Sequence, residues 1–173
     1  DRALPESEID AHVTAGLADN DLCGGSAAPS DAPFPDDTIS LWPLDEAAGS
    51  TYVDAFGDND GTGAADPTAD ASGRVMGAQD FDGSTMGIDV PASHTFNWLG
   101  TESFSIEAWV ITDGVPPGAG TGNNEVIIGR IDGGLQWWIG LANTTGNASL
   151  VILDGAGNNV FEVGSGANLS YGS

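Results

Sequence analysis

Apolar and polar residues alternate with a period of two along much of this chain. The clearest stretch is Phe104–Ile111: Phe104, Ile106, Ala108 and Val110 fall on one side of an extended backbone, and Ser105, Glu107 and Trp109 on the other. Shorter runs of the same kind follow at Glu125–Ile131, Leu135–Leu141, Ser149–Asp154 and Asn159–Val163, separated by turns rich in Gly and Asn. Upstream, Ile39–Leu44 is an apolar run closed by the acidic turn Asp45-Glu46. Gln79–Val90 has the form of a hairpin, with Asp82-Gly83 as its turn and Met86, Ile88 and Val90 alternating in the returning strand. Residues 54–73 contain mostly Asp, Asn, Gly and Ala and predict a long loop. Many short strands with regular turn signals predict an all-β fold, an antiparallel β-sandwich or barrel.

One helix is expected, over residues 5–17. Pro5 suits a first turn, Glu6 and Glu8 suit the positive helix N-terminus, and Gly16 suits its end; Ile9, Val13 and Leu17 recur every fourth residue. So short a helix is marginal unless it docks on something. Residues 18–38 are rich in Asp, Ala, Gly, Ser and Pro and read as a linker.

Composition narrows the function classes. The 173 residues carry 26 Asp and Glu against three cations, Arg2, Arg74 and Arg130, for a formal net charge of −23. Phosphate binding needs clustered Lys or Arg, so nucleic acid is excluded as a partner, and anionic membrane surfaces are repelled. No apolar run is long enough to span a bilayer. Cys23 is the only cysteine, which excludes a disulfide within these residues and any multi-cysteine zinc site. The acidity suits either a heavily solvated surface in salty surroundings or divalent-cation binding, since short carboxylates on tight turns are what Ca²⁺ coordination uses. The candidate metal ligands are Asp54, Asp58, Asp60 and Asp82. Their loop does not follow the EF-hand pattern, because Phe56 stands where the first Asp ligand belongs.

Several motifs, in order, resemble a known family. They are Leu41-Trp42-Pro43-Leu44-Asp45-Glu46 with Gly49, then Asp54 with Asp58-Asn59-Asp60-Gly61-Thr62. Phe81-Asp82-Gly83 follows, leading to Val90-Pro91, and last comes Ser103-Phe104-Ser105-Ile106-Glu107-Ala108-Trp109-Val110. Over residues 39–163 this order and spacing resemble the laminin-G-like domains of the concanavalin-A-like lectin/glucanase jelly-roll class. Asp1-Arg2-Ala3-Leu4 with Glu6, Glu8-Ile9 and Gly16 resembles the closing helix of the same family. The resemblance therefore implies the closing helix of a preceding domain (1–17), a linker (18–38) and a jelly-roll domain (39–173) whose last strands are missing at the C-terminal end. It also implies that a structural Ca²⁺ in the loops is the cofactor to expect, that the setting is extracellular or cell-surface, and that the partner is a glycan or another extracellular protein.

Catalysis has little support in the residues. Glucanases of the wider class carry acid and nucleophile about 5 Å apart on one strand, whereas Glu107 is a lone acid and Glu8-Ile9-Asp10 falls in the expected helix. His12 and His94, the only histidines, have no Ser or Cys arrangement around them that suggests a triad. The expectation is a protein that is not an enzyme. For ligand binding the notable pair is Trp137-Trp138: neighbours in a strand face opposite sides, so one packs in a core and the other presents a flat ring that can stack on a sugar or pack under a loop. Three glycosylation sequons begin at Asn143, Asn147 and Asn168. Two functions are expected from different classes. One is a non-catalytic binding and adhesion module of a large multidomain protein; the other is a structural repeat in which identical neighbouring chains build a stalk, sheath or filament.

Overall fold

The computed structural model describes residues 37–74, 76–98, 102–111, 125–131, 134–142 and 147–165, together with Ser7. The helix expected at 5–17 apart from Ser7, the linker apart from its last two residues, Cys23, His12 and the sequons at Asn143 and Asn168 lie outside the described residues. The described elements are nine strands, all paired antiparallel, and one 3₁₀ turn at His94–Phe96. The all-β, antiparallel expectation is therefore met. The chain divides into two compact units, residues 1–109 and 110–173.

In the first unit, β1 (Thr51–Tyr52), β2 (Gly61–Ala65) and β5 (Gly87–Asp89) form a three-stranded sheet in the order β1-β2-β5, and β3 (Thr68–Asp70) pairs with β4 (Ala78–Asp80). Three expectations are corrected here. The Gln79–Val90 hairpin does not form: β4 pairs with β3 and β5 with β2, so the Asp82-Gly83 turn joins strands of different sheets. Residues 54–73 are not one long loop, because β2 and β3 lie within them. Their residues are too small to show an apolar alternation, and Gly61 is placed by close approach, since a Cβ there would come within 2.5 Å of Ile88 Cγ2. Finally, Phe104–Ile111 has no ladder partner among the described residues. Its alternation survives only in part: Phe104 and Ile106 are half-buried and Ser105 and Glu107 exposed, but Ala108 and Val110 are exposed too. Alternation selects an extended backbone, while a ladder also needs a neighbour whose amides are in register.

Ile39–Leu44 likewise forms no ladder among the described residues. It is tied down at single points instead: Leu41 O accepts from Ala55 N at 2.7 Å, and the Trp42 indole N–H donates to Asn59 O at 2.9 Å. Gln79 Nε2 on β4 donates to the carbonyls of Leu44 (3.2 Å) and Glu46 (2.9 Å), holding the chain just after Leu44, which itself adopts φ 58.

The second unit is a four-stranded meander in the order β6 (Glu125–Ile131), β7 (Leu135–Leu141), β8 (Ala148–Leu153) and β9 (Asn159–Gly164). The sequence places these four strands to within a residue, because each has two or more β-branched or aromatic side chains and a polar turn on either side. Across the sheet, Arg130, Trp137, Ile152 and Phe161 form one row and Gly129, Trp138, Val151 and Glu162 the next, on opposite faces. Among its described residues the buried side chains are Trp138, Leu141, Val151 and Ser149. Gly140 lets β6 come close, since a Cβ there would strike the Glu125 carbonyl.

Candidate functional site

The site of the first unit is organised by Asp54, which is only 5% exposed although ionisable. Its Oδ1 accepts from Leu41 N (2.9 Å) and Phe56 N (3.1 Å), and its Oδ2 from Asn59 N (3.2 Å) and Asn59 Nδ2 (3.3 Å). A buried carboxylate is tolerated only when its lone pairs are met, and here four donors meet them. Burial alone would push this carboxyl up, but the polar groups turned towards it, the Leu41 N–H first, then the Gly57 N–H, the Ser40 hydroxyl and the Phe56 N–H, hold it below the usual carboxylate range. Asp60 answers from the other side: its Oδ1 accepts from Asp54 N at 2.9 Å. Gly57 sits where a Cβ would come within 2.7 Å of both Asp54 Oδ2 and Ile39 O, so the loop closes tightly over the carboxylate. Beside this network Tyr52 is buried, and that burial, followed by the nearby charges of Asp66 and Glu46, pushes its phenol up.

The loop held in this way forms one wall of a half-open cleft of about 430 Å³. Gly57, Asp58 and Asn59 line it on one side, Pro91–Thr95 on the other, and Ile39 adds an apolar patch. Asn59 is fixed by its bonds to Asp54 and by Nδ2 donating to Ser40 Oγ at 2.9 Å. Ser93 caps the 3₁₀ turn: its Oγ accepts from Thr95 N at 3.3 Å and lies 2.8 Å from Thr95 Oγ1. Among the described residues, the exposed Asp58 carboxylate and the exposed His94 imidazole make no hydrogen bond or ion pair. The cleft thus presents one carboxylate, one imidazole, two hydroxyls and a fixed amide beside the apolar Ile39, Pro91 and Ala92. Ser93 bonds to Thr95 rather than to His94, so the nucleophile–base hydrogen bond of a hydrolytic pair is not made.

The four carboxylates proposed as metal ligands do not act as one group. Asp54 is the buried hub, Asp60 bonds to its backbone, and Asp58 lines the cleft. Asp82 is exposed and organises its own turn, accepting from Ser84 N (2.9 Å), Thr85 N (2.8 Å) and Met86 N (2.9 Å) and from the Ser84 and Thr85 hydroxyls. The Thr85 hydroxyl first, then the N–H groups of Met86, Ser84 and Thr85, hold its carboxyl well below the usual range. Among the described residues no three His, Cys, Asp or Glu side chains are grouped as a cation site. Of the tryptophan pair, Trp138 is core at 5% exposure, while Trp137 is half-buried in its row between Arg130 and Ile152.

Sequence reasoning named Asp58 but missed Asn59, Ser93, His94 and Thr95 as its companions. The one available signal was Ser-x-Thr around a histidine just after Val90-Pro91, a capping pattern that says nothing about a distant loop packing opposite. No protein-family model matches the chain, and no curated protein or solved structure matches it.

Proposed function

We propose that the chain is a non-catalytic binding module of an extracellular or cell-surface protein, built as a laminin-G-like jelly roll, which recognises glycans through the cleft of residues 1–109. The observation that carries this reading is the cleft itself, with an unengaged carboxylate and imidazole held beside fixed hydroxyl and amide groups. Sugars are recognised by such convergent polar groups, with small apolar patches meeting their C–H faces. The Asp54 network fixes the Gly57–Asn59 wall before any ligand arrives, and that lowers the ordering cost of binding. A glycan array probed with and without Ca²⁺ tests the reading and shows whether an ion contributes. Asp58→Ala and His94→Ala are each expected to weaken the best binder about tenfold, as a lost hydrogen bond to a buried sugar hydroxyl does. An array on which no glycan binds, with and without Ca²⁺, overturns it.

A second reading, self-assembly as a structural repeat, is favoured by the outer strands of the second unit. Val126, Ile127 and Ile131 on β6 and Val160, Phe161 and Val163 on β9 are all exposed. Exposed apolar strands at the margin of a sheet invite pairing with another chain. Sedimentation that stays monomeric at every concentration would remove this reading.

A further inference from the structure

The charge around the cleft is as one-sided as its shape is specific. Of the nine lining residues, Asp58 is the only permanent charge, and neither Lys nor Arg is among them. The described residues of the unit spanning 1–109 include 13 Asp and Glu, with Arg74 as their one Arg and no Lys. Arg74 is not free to answer an anion in the cleft, because its guanidinium stacks over the Trp109 ring, 5.8 Å from the centroid. A ligand entering the cleft therefore meets a carboxylate inside and a negative field outside. A carboxylate or sulfate on the ligand would have to be desolvated beside Asp58 with no cation to pair it, which is unfavourable in a partly enclosed site. A sugar hydroxyl donates to that carboxylate without penalty, and an ammonium group gains a charge-assisted hydrogen bond.

Resting on the glycan-binding reading above, we infer that the cleft selects its ligand by charge: it accepts neutral and amine-bearing sugars, the amine-bearing ones more tightly, and rejects uronic, sialic and sulfated ones. The selectivity resides in Asp58, because the other lining polar groups are hydroxyl, amide and imidazole. The surrounding acidic surface adds only a screened, long-range contribution.

The experiment is a titration of the full chain at neutral pH and 0.15 M salt with three disaccharides of matched size: chitobiose, its di-N-acetyl form and a uronic-acid disaccharide. Binding is followed by the backbone amide resonances of Asp58, Asn59, His94 and Thr95. Chitobiose is expected to bind at least about fivefold tighter than the acetylated sugar, the effect of one ion pair of ordinary strength, with no response to the uronate. Asp58→Asn should abolish the difference between the first two while leaving the acetylated sugar bound. Asp80→Asn, which removes the same charge on β4 outside the lining, should leave the ranking intact and so controls for net charge. Uronate binding in the cleft, or an Asp58→Asn variant that keeps the original ranking, overturns the inference while the glycan-binding reading stands. No response to any of the three sugars overturns both.

Discussion

Among the described residues, the buried side chains of the unit spanning 1–109 are Tyr52, Pro67 and the polar pair Asp54 and Asn59, whereas in 110–173 they are Trp138, Leu141 and Val151 with the single hydroxyl of Ser149. The first unit has five strands, the longest of five residues, and its segments outside the strands are tied by side chain to backbone: Asp54 to Leu41, Gln79 to Leu44 and Glu46, Trp42 to Asn59. The second has four strands of six or seven residues in one continuous ladder, and Asp154 holds the turn between the last two by accepting from Ala156 N and Asn158 Nδ2. Apolar burial is additive and tolerant of small changes, while a buried polar hub is all-or-none, because each lost partner leaves an unmet donor. The cleft belongs to the first unit for this reason. A polar hub can hold an irregular loop in one shape, and an irregular loop can present unengaged groups that a ladder would have consumed.

The sharpest break in the comparison comes from removing the largest buried ring. Trp138→Ala should cost about 4 kcal/mol. Hydrogen exchange should show β6–β9 losing protection while the amides of Leu41, Phe56 and Asn59 keep theirs. Equal loss in both units would mean that they unfold as one, and the contrast drawn above would fail.

Next in size is Asp54→Ala, which strands the donors of Leu41, Phe56 and Asn59 and should cost about 3 kcal/mol, confined to residues 37–109. Asp54→Asn keeps the size but turns one acceptor into a donor facing N–H groups, and should recover little of that loss. An alanine variant as stable as the original would remove Asp54 from its central place.

Acid sharpens the same point. The folded carboxyl of Asp54 lies below its unfolded value of about 3.9. Its contribution is therefore complete above that pH and is lost as pH falls through the folded value. The stability gap between the original chain and Asp54→Ala should then be constant from neutral pH down to about pH 5 and shrink below pH 4. Comparing the two proteins cancels the general relief of repulsion as the other carboxylates protonate. A gap that does not change with pH would show that Asp54 acts through packing, not through its charge.

The smallest effect is expected at Gln79. Its amide bridges two carbonyls through part-buried hydrogen bonds, so Gln79→Ala should cost about 1 kcal/mol and loosen the Leu44–Glu46 stretch without altering the cleft. Loss of cleft binding in that variant would show that the tie acts further than its own turn.

How far these features were legible in the sequence depended on the range of the interaction. The four strands of the second unit were readable because each one's identity lies in its own residues: Leu135–Leu141 is largely apolar and aromatic, preceded by Gly133-Gly134 and followed by Ala142-Asn143, whatever it pairs with. Asp82-Gly83 was readable as a turn for the same reason, since Asp82 bonds to residues two to four further on. Pairing was not readable. β4 and β5 look like the arms of a hairpin, yet each found a partner elsewhere, because strand affinity does not say which neighbour will be in register. The jelly-roll form rested on resemblance, whereas the expectation of metal at the Asp54–Asp60 loop came also from short carboxylates on tight turns. The cleft depended wholly on tertiary structure. Asp58 and His94 are 36 positions apart, and their sharing of one wall-to-wall space follows from Asp54 gripping Leu41, Phe56 and Asn59 at once. The sequence by itself determined the strand content, the acidity and the local turns, all governed by contacts a few residues long. Which strands meet, which carboxylate is buried and which is left to face a ligand were decided only when distant donors converged on one carboxylate.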